Sequence, residues 1–464
     1  MKKLLIITLI CCMLCTLIVS AAGCSLSDTP HAISDRFTDL ARGYTVDKDN
    51  GKSGDECVFT LPAAVKFNTA ALKEKGDNIG GYEIYADKKL IYKSDSISAY
   101  KYCSFEAVTT NKLTLRVTEC AGTWKIRDIQ LYNIEHTASD SFAVSSYILV
   151  DKAYKLSDIT ARQAKHVTCF NIFGSVYFDS LGALHMQDYL IDGKSVSGDT
   201  VLSKAIENIR AYAPHASILI TILGNLDITG DSLSLQQRHK SAMKENKSAL
   251  INSCKEIIAK YNLDGISFDY EFPTTRKDNK IYASFLEKLK SELPQGKYLT
   301  AAMSMWNLGG FKGFPIKKLS CLDRLELMAY DGFDSKGDHS SFYEMCANAL
   351  YKLQKRGADL SKINLGLPFY GRPKDKANYS AAYAIFANQL GKWGNKITVL
   401  IQPKDKKEYS SLCYFNGRQM IYDKTCYAID IGAGGVMTWH YSCDTQDDEL
   451  SLLASIGKAL ASRK

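Results

Sequence analysis

From about residue 143 onward, short apolar runs alternate with amphipathic stretches, and this rhythm leaves the C-terminal part of the chain few folds to choose from. The apolar runs fall at 146–150, 167–173, 218–223, 265–271, 299–303, 325–328, 363–367 and 435–438. Between them lie candidate helices at 201–211, 237–261 and 281–292. In the first, Leu202, Ala205, Ile206 and Ile209 recur at helical spacing. Eight strands interleaved with helices predict an α/β fold, a (β/α)8 TIM barrel over 143–464. In such a barrel, function collects at the C-terminal ends of the strands.

The fourth run, Asp264-Gly265-Ile266-Ser267-Phe268-Asp269-Tyr270-Glu271, is unlike an ordinary core strand. Side chains two apart on a strand share a face. Ser267, Asp269 and Glu271 therefore line one face, and Ile266, Phe268 and Tyr270 the other. Burying unpaired charge costs several kcal/mol, so two acids on one face need a purpose. Their mutual repulsion makes one of them hold its proton more tightly than usual, as a general acid working near neutral pH must. A divalent cation held by Asp269 and Glu271 is the rival reading. Tyr330 and Asp331 end the sixth run, Tyr370 and Arg372 follow the seventh, and Trp439 ends the eighth. Aromatic and polar groups would thus converge on one mouth, as a sugar site requires. Read blandly, Tyr330 and Trp439 are core aromatics, Asp331 caps a following helix, and Arg372 is a surface ion-pair partner.

The fourth run resembles the catalytic strand of glycoside hydrolase family 18, whose pattern is Asp-Gly-x-Asp-x-Asp-x-Glu. Asp264, Gly265, Asp269 and Glu271 match, while Ser267 stands where the family usually has Asp. Met328-Ala329-Tyr330-Asp331, Leu365-Gly366-Leu367-Pro368-Phe369-Tyr370-Gly371-Arg372 and Gly434-Gly435-Val436-Met437-Thr438-Trp439 resemble later strands of the family in the same order. Between Tyr370 and Gly434, residues 409–414 and 420–429 resemble a short version of the family's inserted subdomain. The resemblance spans about 143–460 and implies a retaining glycosidase that cleaves β-1,4 bonds after N-acetylglucosamine by substrate-assisted catalysis. It implies Glu271 as proton donor, with Asp269 holding the acetamide nitrogen and Tyr330 hydrogen-bonding the acetamide. Asp331, Met328, Tyr370, Arg372 and Ser267 would contact or flank the sugar, and Trp439 would floor the subsite. No metal or organic cofactor is implied. Chitin or chito-oligosaccharide is the default substrate. An endo-β-N-acetylglucosaminidase, a cell-wall lytic enzyme and a non-catalytic chitinase-like lectin are the alternatives. With the usual Asp replaced by Ser267, Asp269 is expected to ionise more readily than in the family norm.

The N-terminal part reads differently. Alternating runs at 57–61, 81–86, 112–117 and 126–131, separated by turn residues, predict an all-β sandwich over 51–137. Their order resembles a galactose-binding-like jelly roll of the discoidin type. Tyr100, Tyr102 and Trp124 are candidates for stacking on sugar, or else belong to the core or to the contact with the barrel. Residues 1–23 read as an export signal, with two lysines before an apolar run. Ser20-Ala21-Ala22-Gly23-Cys24 resembles a bacterial lipoprotein cleavage site, which implies a lipidated Cys24 and residues 25–50 as a tether. The expected location is the outer face of the cytoplasmic membrane, with membrane contact only through that anchor and the chain a monomer. Loss of Lys2 and Lys3 with the signal lowers the formal net charge from +8 to +6. No basic block stands out, so nucleic acid is not an expected partner. Ten cysteines follow Cys24 without a Cys-x-x-Cys pair, which argues against a zinc knuckle; export would permit disulfides among them.

Overall fold

The computed structural model describes residues 33–155, 159, 161–224, 233–271, 273, 275–305, 313–375, 379–402 and 407–464. The signal, Cys24 and the start of the tether lie outside the described residues. Eight parallel strands close into a barrel: Ala143–Leu149, Cys169–Phe178, Ser217–Leu223, Gly265–Asp269, Tyr298–Ser304, Arg324–Met328, Ile363–Pro368 and Gly435–Trp439. Each pairs with its neighbour in sequence, and the eighth returns to the first through Gly435–Ala143 and Thr438–Ser146. The strands read as apolar runs because both faces are covered, one by helices and one by the barrel interior. On the fourth strand Ile266 and Phe268 point outward into the apolar layer beneath the helices, while Ser267 and Asp269 point in.

The surrounding helices begin where the sequence caps them. Ser197 accepts from Thr200 N ahead of Gly198–Tyr212, Thr275 from Asp278 N ahead of Arg276–Glu292, and Ser451 from Ala454 N ahead of Leu452–Ser462. The single helix expected over 237–261 is interrupted. Leu235–Lys240 passes into a π turn at Ser241–Glu245, and the α-helix resumes only at Lys247–Lys260. Asn246 marks the break: its side chain donates to Ser180 O and Ser241 Oγ, a local alternative to helix continuation.

Between the seventh and eighth strands an antiparallel sheet of Tyr370–Pro373, Ala381–Ala382, Lys396–Ile401 and Tyr409–Tyr414 forms the insert. Residues 420–429 are not part of it. They lie in the barrel helix Arg418–Asp430, whose mixed sequence, Asp423, Lys424 and Asp430 included, is buried against the last helix and the N-terminal strands.

The N-terminal part is an antiparallel all-β unit of seven strands joined in one hydrogen-bonded network. Two long strands, Glu56–Glu74 and Lys101–Cys120, run through it and change register between Thr60 and Val65 and between Phe67 and Thr69. Residues 33–50 do not behave as a tether. Ile33 and Ala41 are buried, Asp39 Oδ1 accepts from Ala41 N and Leu131 N, and Thr45–Val46 pairs with the first long strand.

The aromatics considered for sugar stacking are interior. Trp124 is fully buried and donates Nε1–H to Lys52 O. Tyr100 and Tyr102 pack against Tyr427 and Phe342 of the barrel. Charged groups are buried in the same seam. Asp430 accepts from Tyr102 Oη, Thr137 Oγ1 and Arg463 Nε, and Asp423 accepts from Tyr92 Oη and Ser104 N with Lys101 Nζ at 3.4 Å. All ten cysteines beyond Cys24 are free. No helix of the described residues is long and apolar enough to cross a membrane.

Removing one member of a buried ion pair leaves an uncompensated charge and costs ~3–5 kcal/mol. Arg463→Ala, which strands Asp430, is expected to lower stability by that amount in chemical denaturation. The N-terminal unit and the barrel should then unfold in one transition. Two separated transitions would show that the seam does not couple them.

Candidate active site

The fourth strand ends at Asp269, and Glu271 follows at the mouth of the barrel. Asp269 is 5% exposed, and its carboxyl is hydrogen-bonded to that of Glu271. Burial raises Asp269 to about 7, although the Glu271 hydrogen bond lowers it. Glu271 is pushed well above the ordinary glutamate value, first by burial and then by the charges of Asp269 and Asp331. Two carboxyls sharing so little solvent cannot both be ionised cheaply. At neutral pH the pair holds a proton, and Glu271 is its stronger holder. Even without a second acid at Ser267, burial keeps Asp269 above the ordinary aspartate value.

Ser267 lies fully inside the barrel. Its Oγ is 3.0 Å from Tyr147 Oη of the first strand. Asp269 Oδ1 is buried with no hydrogen-bond partner among the described residues. The Tyr330 ring stands edge-on to Tyr370 at 6.3 Å and within electrostatic reach of Asp269, Glu271 and Asp331. Trp439 packs edge-to-face on Phe173 at 4.8 Å and lies 5.6 Å from Tyr147. Met328, Tyr330, Tyr147, Phe173, Tyr177 and Met437 form one apolar cluster with Trp439 against it. This makes an aromatic floor and wall around the acid pair.

Asp331 sits in a left-handed backbone conformation (φ 60°) and caps no helix among the described residues. Its Oδ1 accepts from Tyr370 Oη at 2.7 Å and Arg372 Nε at 2.9 Å, and His339 Nε2 lies 3.5 Å away. Burial opposes its ionisation. The hydrogen bond from the His339 ring, the Arg372 charge and the Tyr370 hydroxyl outweigh burial and hold the pKa at about 2. The site thus carries carboxyls driven in opposite directions: Glu271 toward the neutral acid, Asp331 toward the anion. No group of three or more His, Cys, Asp or Glu side chains among the described residues is placed to hold a metal ion.

A model of glycosyl hydrolases family 18 matches residues 151–444. The chain belongs to that family. A class V chitinase, CHIT5a of Medicago truncatula, is 24% identical over 261 residues, covering 50% of this chain and 64% of the relative. The chain spans less than two thirds of the length of the curated relatives it matches. The crystal structure of the GH18 chitinase ChiB from the chitin utilization locus of Flavobacterium johnsoniae superposes with a TM-score of 0.53 at 25% identity, covering 69% of this chain and 94% of that one. A chitinase-like agglutinin of Robinia pseudoacacia shares the fold at 19% identity and TM-score 0.52, over 68% of this chain and 99% of that one. Family 18 membership therefore fixes the glycoside hydrolase scaffold, shared by chitinases and by a chitinase-like agglutinin.

The structure brings together Asp269, Glu271, Ser267, Met328, Tyr330, Asp331, Tyr370, Arg372 and Trp439, drawn from four strands and the chain just beyond them. Sequence reasoning missed three neighbours. Tyr147 and Phe173 occupy inward positions of the first two strands, where strand alternation alone would have pointed to them. His339 comes from the stretch after the sixth strand and had no local signal; only the fold sets it beside Asp331.

Arg372→Leu removes one of the groups holding Asp331 ionised, so Asp331 should titrate at a higher pH in carbon-13 NMR of its carboxyl. Its present value lies below the ~3.9 of a free aspartate. Its contribution to stability is therefore complete above that pH and lost as pH falls toward about 2. An unchanged midpoint in Arg372→Leu would show that His339 and Tyr370 suffice.

Proposed function

We propose that this chain is a retaining glycoside hydrolase that cleaves β-1,4 bonds of N-acetylglucosamine-containing glycans, with chito-oligosaccharides as the substrate class. The observation that carries the reading is Glu271, kept protonated at the barrel mouth by burial and by Asp269. Glu271 gives its proton to the glycosidic oxygen as the bond breaks. A retaining enzyme of the common type would need a carboxylate nucleophile on the opposite side of the sugar. Asp269 is on the acid's own strand and hydrogen-bonded to it. Asp331, at about 2, is a weak base whose charge is already engaged by Arg372, His339 and Tyr370. The nucleophile in this reading is the substrate's own acetamide oxygen. The attack makes a cationic oxazolinium-like ring that Asp269, as a carboxylate, stabilises beneath it. Tyr330 directs its hydroxyl to the acetamide, and Trp439 with Phe173 and Tyr147 provides the apolar surface for the sugar face. Water then enters, and Glu271, deprotonated by the first step, takes its proton.

The check is hydrolysis of soluble N-acetylglucosamine oligomers by the full chain beside Glu271→Gln. Wild type should release shorter oligomers. The variant should lose roughly 10²–10⁴-fold in kcat with little change in oligomer affinity. Binding without cleavage by wild type would instead favour a sugar-binding role for the same cleft.

A further inference from the structure

A second buried carboxyl lies in the barrel interior and has no part in the reaction just described. Glu326 of the sixth strand is 1% exposed. It accepts from Ser145 Oγ at 3.0 Å and from Asn364 Nδ2 at 3.2 and 3.1 Å, and Asn171 Nδ2 donates to Ser145 Oγ at 2.8 Å. These donors are all neutral, so its hydrogen bonds do not commit it to the charged form as an ion pair would.

Strand register carries Glu326 close to Asp269. Thr221, Ser267 and Thr300 are direct partners in one row across the third, fourth and fifth strands. The recorded pairing of the fourth and fifth strands ends at Phe268–Ala301; continued by one residue it sets Asp269 beside Ala302, which is paired with Glu326. Ala302 is therefore the one residue between the two acids along that row. Tyr147, whose hydroxyl meets Ser267 Oγ at 3.0 Å, is within electrostatic reach of both carboxyls. Around this layer Asp269 Oδ1, Thr221 Oγ1, Thr300 Oγ1, Asn171 Oδ1 and Asn364 Oδ1 are buried without partners among the described residues. An interior row with this much unspent hydrogen-bonding capacity, and an acid at each end, is poorly explained as packing.

We propose that Glu326 is a positioning residue whose buried charge, felt with that of Asp269 at Tyr147, sets when Asp269 ionises. This rests on the hydrolase reading of the site. As the oxazolinium-like cation forms above Asp269, it favours the state in which Asp269 carries the charge and Glu326 is neutral. The carboxyl that the family pattern carries at position 267 is thus supplied here from another strand. Burial raises both acids to about 7, so both titrate over the same pH range, and Tyr147 feels the charge of each. The other groups facing Asp269 are Glu271, Tyr147, Tyr330 just past the sixth strand and Tyr282 from the helix Arg276–Glu292. Those facing Glu326 are Tyr147, Tyr330, Cys169 and Arg324. Burial pushes the tyrosines and Cys169 up, so they stay neutral while the two carboxyls titrate.

Glu326→Gln removes the competing charge at nearly unchanged size. In the full chain, the Asp269 midpoint followed by carbon-13 NMR is expected to fall by roughly half a pH unit or more. The acid limb of kcat/KM on chito-oligosaccharides should move down with it. Adding Ser267→Asp to that variant should return the midpoint toward the wild-type value. An unmoved Asp269 midpoint in Glu326→Gln overturns the proposal, and the NMR reading decides this even for a chain that cleaves nothing. Absence of wild-type hydrolysis, by contrast, counts against the hydrolase reading alone. Should Glu326→Gln fail to fold, the wild-type titration decides: Asp269 and Glu326 must each show an inflection at the other's midpoint, and two independent single-site curves would refute the coupling.

Discussion

Burying Asp269 against Glu271 is the constraint on which the rest of the site depends. Desolvating a carboxylate costs several kcal/mol after relaxation, and placing two together adds their repulsion. The barrel accommodates them by keeping a proton on the pair and by surrounding it with aromatic groups that exclude water. Tyr147, Phe173 and Trp439 do that from the first, second and eighth strands, and Tyr330 from just past the sixth. The third acid, Asp331, is handled in the opposite way, with Arg372, Tyr370 and His339 keeping it charged. One mouth thereby holds a carboxyl kept neutral beside an anion fixed in place.

The N-terminal unit contributes to that arrangement at a distance. Its seam with the barrel buries Asp423, Asp430, Lys101 and Arg463, so the two parts are bound by interactions that fail badly when half-broken. It also reaches the stretch that carries Asp331 and His339. Lys336 pairs with Asp77 at 3.0 Å, and Ser335 Oγ donates to Asp77 at 2.7 Å. From the barrel side, Lys424 Nζ donates to Ser340 O at 2.7 Å, one residue from His339. Burial lowers Lys424 to about 7, so this buried amine need carry no full charge near neutrality. The stretch from Asp331 to Ser340 is therefore held between the N-terminal sheet and the helix Arg418–Asp430.

Much of the barrel was legible because its strands are buried on both faces and so appear as apolar runs, with starts and stops within a few residues of those observed. The acid strand was legible because alternation sets Asp269 and Glu271 on the same side as Ser267. What escaped depended on tertiary placement. Glu326 looks like one charged residue among many until the register places it opposite Ala302. His339 lies in a stretch without periodicity. Tyr100, Tyr102 and Trp124 carry no mark in sequence to separate a sugar platform from a buried ring, and here they are buried rings. Asn246 breaks a helix whose apolar spacing runs on past it, because its side chain bonds the neighbouring backbone.

The most direct test of substrate-assisted cleavage is the anomeric configuration of the first product, followed by proton NMR during hydrolysis of an N-acetylglucosamine oligomer by the full chain. Attack by the substrate's acetamide followed by water inverts the anomeric carbon twice, so the β anomer is expected to appear first and to decay to the equilibrium mixture. Initial release of the α anomer would mean a single displacement by water, and would contradict the roles assigned to Glu271 and Asp269.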